Sequence, residues 1–213
     1  MTTILLVRHG ESAANRDNVF AGNYDAELLP RGYEQAGLTA RYIKENFDVD
    51  AVYSSDLQRA YNTALRIAEE LELPVTADRR FREIDAGEWD GVAFEQIIKT
   101  HPDEFRAWVS DIGHSACPGG ENVQQLGERI MPALCERARE NDGKTIVVAS
   151  HATSVRVACA LAKYGKASDM EKLSWPSNAS VSVLYYDDGS WSAGEYSIDG
   201  YMADIRTALP ETV

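Results

Sequence analysis

Two apolar runs in this chain end in histidine. Ile4-Leu5-Leu6-Val7 runs into Arg8-His9-Gly10-Glu11, and Thr145-Ile146-Val147-Val148-Ala149-Ser150 runs into His151. A short apolar run that stops at charged residues and a glycine reads as a buried strand passing into a loop. In an open parallel sheet, ligand sites form where strands run out at their carboxyl ends. Two strand ends that deliver two histidines and an arginine predict one anion-handling site.

The rest of the chain alternates strand and helix signals. A loop carrying Asn15, Asn18, Gly22 and Asn23 follows the first strand, and Tyr33, Ala36, Ala40, Ile43 and Phe47 then recur at helical spacing from about Arg31. Ala51-Val52-Tyr53-Ser54 reads as a short strand. Ser55-Asp56-Leu57-Gln58 fits a capping box, with Ser55 as N-cap and Gln58 three residues on. The helix it opens places Leu57, Ala60, Tyr61, Ala64, Ala68 and Leu71 on one apolar face, with Arg59 in its first turn. Residues 82–91 hold two glycines and four carboxylates and read as a loop. Residues 92–118, with Phe94, Ile97, Ile98, Phe105 and Trp108 around Pro102, predict one or two short helices in an insertion. Pro118-Gly119-Gly120 precedes a helix that Pro132 should kink. Another helix follows His151, and Val181, Val183 and Tyr185 lead into Asp187-Asp188-Gly189-Ser190 as a hairpin. Strands alternating with helices predict an α/β three-layer sandwich, its mainly parallel central sheet covered by helices on both faces. Residues 1–213 read as one domain with a short lid-like insertion at about 92–118.

Charge excludes one large class of partners. The chain has 21 basic and 34 acidic residues, a formal charge of −13, and no cluster of Lys and Arg. Nucleic-acid binding needs basic patches that neutralise phosphates, so no nucleic-acid partner is expected. A small anion remains compatible, provided its pocket is locally positive. No stretch approaches the apolar length of a membrane helix, and the first apolar run is too short for a signal peptide. With Cys117, Cys135 and Cys159 widely spaced and no Cys-x-x-Cys pair, the expected setting is the cytoplasm with reduced thiols.

Leu6-Val7-Arg8-His9-Gly10-Glu11 resembles the signature of the histidine phosphatase superfamily, which includes cofactor-dependent phosphoglycerate mutases. Asn15, Gly22 and Gly32-Tyr33-Glu34-Gln35-Ala36 resemble its phosphate loop and first helix. Ser54-Ser55-Asp56-Leu57-Gln58-Arg59-Ala60-Tyr61-Asn62-Thr63-Ala64 resembles a second motif, Glu83 through Gly91 a third, and Pro118-Gly119-Gly120-Glu121 and Ser150-His151 complete the order. The resemblance spans nearly the whole chain.

The roles it implies have a physical logic. A phosphomonoester dianion needs charge-assisted donors, and arginine supplies paired planar ones, here Arg8 and Arg59. Asn15 adds a neutral donor, and so does the amide of Ala152. His9 attacks phosphorus as a neutral imidazole, with its other ring nitrogen bonded to a backbone carbonyl, and forms a phosphohistidine. His151 is a phosphate donor, cationic once substrate is bound. Glu83 protonates the leaving alkoxide and then deprotonates water. Only the resemblance selects Glu83, because Glu11, Asp85, Glu88 and Asp90 lie near it in the same stretch or beside His9. The superfamily usually has Gly after the second histidine. Ala152 stands there instead, and its methyl disfavours a positive φ and narrows the pocket.

Several rival readings follow from the same residues. Arg8 could pair with Glu11, and Arg59 could lie on a helix surface. A metal reading gathers His9, His151 and a carboxylate around zinc, but no local ligand spacing supports it and two arginines would repel the ion, so neither a metal nor a cofactor is expected. A phosphoglycerate mutase must also hold a carboxylate and a second phosphate. The mutases carry a longer insertion with an adjacent arginine pair, whereas residues 92–118 contain only Lys99 and Arg106. The expected activity is therefore hydrolysis of a small phosphomonoester. The alternatives are a 2,3-bisphosphoglycerate-dependent mutase, a protein phosphohistidine phosphatase, and a non-catalytic phosphate- or phosphoprotein-binding relative. The substrate and the oligomeric state are not readable from the sequence.

Overall fold

The computed structural model describes residues 1–207. In chain order, the first half contains β1 (Thr2–Arg8), α1 (Ala13–Arg16), β2 (Val19–Phe20), α2 (Pro30–Asn46), β3 (Ala51–Ser54), α3 (Gln58–Leu71) and β4 (Val75–Ala77). Then come β5 (Val92–Ala93), α4 (Phe94–Thr100), α5 (Pro102–Ser110), α6 (Val123–Glu140), β6 (Thr145–Ser150), α7 (Ala152–Tyr164), β7 (Val181–Asp187) and β8 (Ser190–Ala193).

Six strands form one sheet in the order β4-β3-β6-β1-β7-β8. The first four run parallel, while β7 and β8 are antiparallel additions. Alternation along β1 divides the core in two. Ile4 and Leu6 face a cluster with Leu126, Ile130 and Leu134 of α6 and Val155 and Ala158 of α7. Leu5 and Val7 face Ala40 and Ile43 of α2 and Ala64 and Ile67 of α3. This is the expected three-layer sandwich, and it explains why β1 and β6 read as continuous apolar runs. The hairpin is also as expected. Asp187 pairs with Ser190 across a two-residue turn, and Asp188 and Gly189 have φ of 43° and 86°, as a type I′ turn requires.

Two local expectations need correction. Ser55 and Gln58 do not form a capping box. Leu57 is the N-cap of α3, and Asp25, from a remote loop, takes the Gln58 backbone N–H and side-chain amide at 2.7 and 3.1 Å. Tertiary acceptors replaced the local one. α6 runs from Val123 to Glu140 with Pro132 inside it, behind an Asn122–Gln125 capping box. Ala152 is the first residue of α7 and is not among the positive-φ residues, so the methyl meets no backbone conflict.

The two histidines become neighbours through strand register. β1 and β6 pair in parallel with Arg8 opposite Ser150, and the His9 N–H donates to Ser150 O at 3.0 Å. Beyond these ends, residues 92–118 carry two short helices. A two-stranded sheet of β2 and β5 ties them to the loop after α1, so this segment stands over the carboxyl edge of the main sheet.

Candidate active site

A cavity of about 270 Å³ opens at these strand ends. Arg8, His9, Asn15, Arg59, Glu83 and Ala152 line it together. His151 is fully buried beside it, its ring edge-on to that of His9 with centroids 5.3 Å apart. Every residue expected at the site is thus brought to one place.

His9 leaves the strand at a point where two backbones touch. A Cβ on Gly10 would collide with the carbonyl of Gly32 at the start of α2, so only glycine fits there. The His9 Nδ1 lies 2.7 Å from Gly10 O, which makes Nδ1 the protonated nitrogen and leaves Nε2 with a free lone pair. Burial, then the charges of Arg59 and Arg8, push the His9 pKa well below its ordinary value. The ring is therefore a neutral imidazole at neutral pH. Behind it, Asn178 donates to His9 O at 3.0 Å and to Asn15 Oδ1 at 3.2 Å, and the N–H of Ala179 donates to the same His9 carbonyl. Ser12 also donates to Asn15 Oδ1, so these contacts occupy the amide oxygen and leave its NH₂ uncommitted.

Both arginines are nearly buried and have neutral partners. Arg8 donates from Nη1 to Pro176 O at 2.6 Å. Arg59 donates from Nη1 to Tyr24 O and from Nη2 to the carbonyls of Ala21 and Gly22 at 2.8–3.1 Å. Neither is paired with Glu11, which lies 3.5 Å from Arg31. Burial, opposed by Glu83, lowers both pKa values to about 10, so both stay cationic at neutral pH. Two desolvated cations within one cavity favour a bound anion.

Of the carboxylates left open by the sequence, only Glu83 lines the cavity. It sits against the N-terminus of α7, accepting from Thr153 N at 3.0 Å, Ser154 N at 3.2 Å and its neighbour Ile84 N at 2.9 Å. Its own loop is braced from behind by Arg129, which donates to the carbonyls of Arg80, Arg82 and Glu83 and pairs with Glu121 at 2.7 Å. The competitors are engaged elsewhere. Asp90 accepts from Gly22 N and Tyr24 N, Asp85 from Gly87 N, and Glu88 meets His101.

His151 was expected to be cationic with substrate bound. In the protein alone, burial and then the Arg59 charge hold its pKa well below the ordinary value, so it is neutral. Neutral buried histidines make stability depend on pH. The unfolded chain takes up protons near pH 6.5 and the folded protein does not. Stability is full above that pH and falls below it, by up to about 1.4 kcal/mol per pH unit for each histidine. Thermal melts between pH 7.5 and 5 should show Tm falling with pH, and less steeply in His9→Ala. A flat profile would contradict neutral, buried rings.

The far wall of the cavity was legible in part, since the sequence offers Trp89, Phe94 and Trp108 of this region either as pocket-lining residues or as core. It consists of Phe94, Phe105, Trp108 and Ile112 of the 92–118 segment, with Arg156, Glu171 and Trp175. Trp108 therefore lines the site, whereas Trp89 is fully buried core. The Arg156 guanidinium lies 4.1 Å from the Trp175 ring centroid and donates from Nη2 to the carbonyls of Met170 and Leu173. An arginine on a helical stripe gives no sign in sequence of turning inward. Among the described residues, no group of three or more His, Cys, Asp or Glu is arranged to hold a metal ion, and no helix is long and apolar enough to cross a membrane.

Comparisons with known proteins identify the family. The family model of the histidine phosphatase superfamily (branch 1) matches residues 4–199. The chain is 35% identical over 192 residues to phosphoserine phosphatase 1 of Hydrogenobacter thermophilus, which covers 88% of each chain. It is 31% identical over 212 residues to the metal-independent phosphoserine phosphatase of Arabidopsis thaliana, covering 96% of this chain and 85% of that one. Among solved structures it resembles the mycobacterial glucosyl-3-phosphoglycerate phosphatase complexed with VO3, with a TM-score of 0.83 and 26% identity over 92% of this chain and 98% of the other.

Proposed function

This chain belongs to branch 1 of the histidine phosphatase superfamily, and we propose that it hydrolyses a small phosphomonoester through a phosphohistidine on His9. It is a phosphoric monoester hydrolase by class. The observation that carries the mechanistic reading is the state of His9: a buried, neutral imidazole with Nδ1 tied to Gly10 O and Nε2 unbonded among the described residues, in one cavity with two buried arginines.

In the proposed reaction, the phosphoryl group sits between Arg8 and Arg59, with further donors from Asn15, the Ala152 amide and His151. The His9 Nε2 lone pair forms a bond to phosphorus as the bond from phosphorus to the ester oxygen breaks. Glu83 gives its proton to that departing oxygen. Water then attacks the phosphohistidine, Glu83 takes the water's proton, and the P–N bond breaks to release inorganic phosphate and restore His9. The arginines face charge that accumulates on the equatorial oxygens, where fixed donors lower the barrier most. No step needs a metal or cofactor. Residues 92–118 act as the lid, and Phe94, Phe105 and Trp108 support that reading by walling the cavity.

The far wall supports a reading of the substrate class. Arg156 and Glu171 offer a cation and a carboxylate beyond the phosphate cradle, which suits an ester carrying a carboxylate and an ammonium group. Two relatives are named phosphoserine phosphatases, so phosphoserine is the first compound to test. The EDTA-treated protein should release phosphate from phosphoserine faster than from uncharged alkyl phosphates, and should not interconvert 2- and 3-phosphoglycerate with or without 2,3-bisphosphoglycerate. Interconversion would make it a mutase. No turnover of any ester would favour a binding role instead.

A further inference from the structure

Ser55 is the residue that the sequence offered as a helix cap and the fold does not use as one. It is fully buried at the end of β3, and its Oγ has two polar neighbours among the described residues. The N–H of Leu57 donates to it at 3.3 Å. The Nε2 of His151 lies 2.9 Å away. The other ring nitrogen of His151, Nδ1, is buried and has no hydrogen-bond partner among the described residues.

A serine hydroxyl has one proton to give and two lone pairs. One lone pair already receives the Leu57 N–H. If Nε2 carried the histidine proton, the hydroxyl would accept twice and its own proton would have no acceptor in reach. That hydroxyl proton would stay buried and unsatisfied whether or not an anion is bound, whereas a proton on Nδ1, which has no partner among the described residues, gains an acceptor when an anion enters the site. If instead the hydroxyl donates to Nε2, Oγ is satisfied in both directions and the histidine proton must sit on Nδ1. A neutral imidazole has a single N–H, and the bond made by one nitrogen decides the state of the other.

We infer that Ser55 is a positioning residue that fixes His151 as the Nδ1–H tautomer, so that a neutral histidine presents a hydrogen-bond donor to the bound phosphoryl group. This inference rests on the proposed phosphatase reading, which supplies the acceptor that the His151 Nδ1–H lacks among the described residues. It resolves an otherwise awkward pairing. Two arginines already crowd the site, and a third cation there would be expensive to bury. A neutral ring with its proton held on the correct nitrogen supplies the donor without the charge.

The test is a two-bond proton–nitrogen NMR spectrum of the full-length, ¹⁵N-histidine-labelled protein at neutral pH, with His151 assigned by comparison with His151→Asn. The wild type should show His151 protonated at Nδ1 with Nε2 as an acceptor, and added inorganic phosphate should shift the Nδ1–H signal. Ser55→Ala should lose the single Nδ1–H tautomer. Its kcat/KM should fall by about 10- to 100-fold, less than the ~10²–10³-fold that removing a whole oxyanion donor costs. Ser55→Thr keeps the hydroxyl and should keep the tautomer. An Nε2–H tautomer in the wild type overturns the inference, and so does a Ser55→Ala protein that retains both the Nδ1–H signal and wild-type kcat/KM. Because the wild-type spectrum needs no turnover, a failure of the tautomer assignment and a failure of the phosphatase reading are separately visible.

Discussion

Replacing His9 with alanine should remove turnover almost entirely, a loss on the order of 10⁵-fold. Nothing else in the cavity can stand in for it. His151 is fully buried and its Nε2 is engaged by Ser55, and Glu83 is held at the start of α7, where the proposed reaction uses it to carry protons. The protein should still fold. The Nδ1 of His9 bonds only to its neighbouring carbonyl, while the His9 carbonyl, held by Asn178 and Ala179, is backbone and survives the substitution. Phosphate binding should persist because both arginines remain. The expected result is a folded protein, still stabilised thermally by phosphate, with no measurable phosphate release. Turnover within tenfold of wild type would rule out His9 as nucleophile.

Arg59→Ala should produce the second-largest effect, and it should act on both catalysis and folding. Arg59 is 1% exposed, and its guanidinium joins the carbonyls of Ala21, Gly22 and Tyr24. Truncation removes one arm of the proposed phosphate cradle and leaves the carbonyls of Ala21 and Gly22 seeking donors, while Tyr24 O keeps the Ala26 N–H. Loss of such a donor from a buried site costs about 10²–10³-fold in rate. Each carbonyl left dry costs about 1–3 kcal/mol, reduced wherever water enters. The variant should therefore lose at least a hundredfold in kcat/KM, melt several degrees lower, and gain little Tm from added phosphate. Arg59→Lys should recover little, because an ammonium cannot reproduce the planar fork that meets the loop and the anion together. A normal phosphate-induced rise in Tm in Arg59→Ala would remove Arg59 from the binding site.

The arrangement that makes these effects large was only partly legible in sequence. Strand ends were the clearest signal. Arg8 and His9 follow one apolar run and His151 follows another, and parallel pairing in register brings the two together. Glu83 was legible only through its motif. Its selection over Glu11, Asp85, Glu88 and Asp90 depends on which carboxylate points into the cavity, a property of loop packing around Arg129. Asn178 lies on an irregular turn before β7, next to Ala179 at φ 57°, where no periodic pattern could announce it. Ser55 was misread because its spacing to Gln58 imitates a cap. The competing partners, Asp25 and His151, are 33 and 96 residues away in the chain. Local rules hold where local partners win, and here tertiary partners won.

The same reasoning explains the tolerance of Ala152. Glycine in its place would be required only if the backbone needed a positive φ, and the start of α7 does not. The Ala152 backbone instead opens the helix that presents Thr153 N and Ser154 N to Glu83, so this turn joins the proposed proton carrier to the second histidine.

The most direct test of the central claim is to trap the phosphoenzyme. The protein would be mixed with ³²P-phosphomonoester, quenched within milliseconds in base, where phosphohistidine survives, and digested for peptide mapping. The account predicts a label that is stable to base, labile to acid, located on His9 and absent from His9→Ala. Full turnover with no such label, or a label on any other residue, would contradict it.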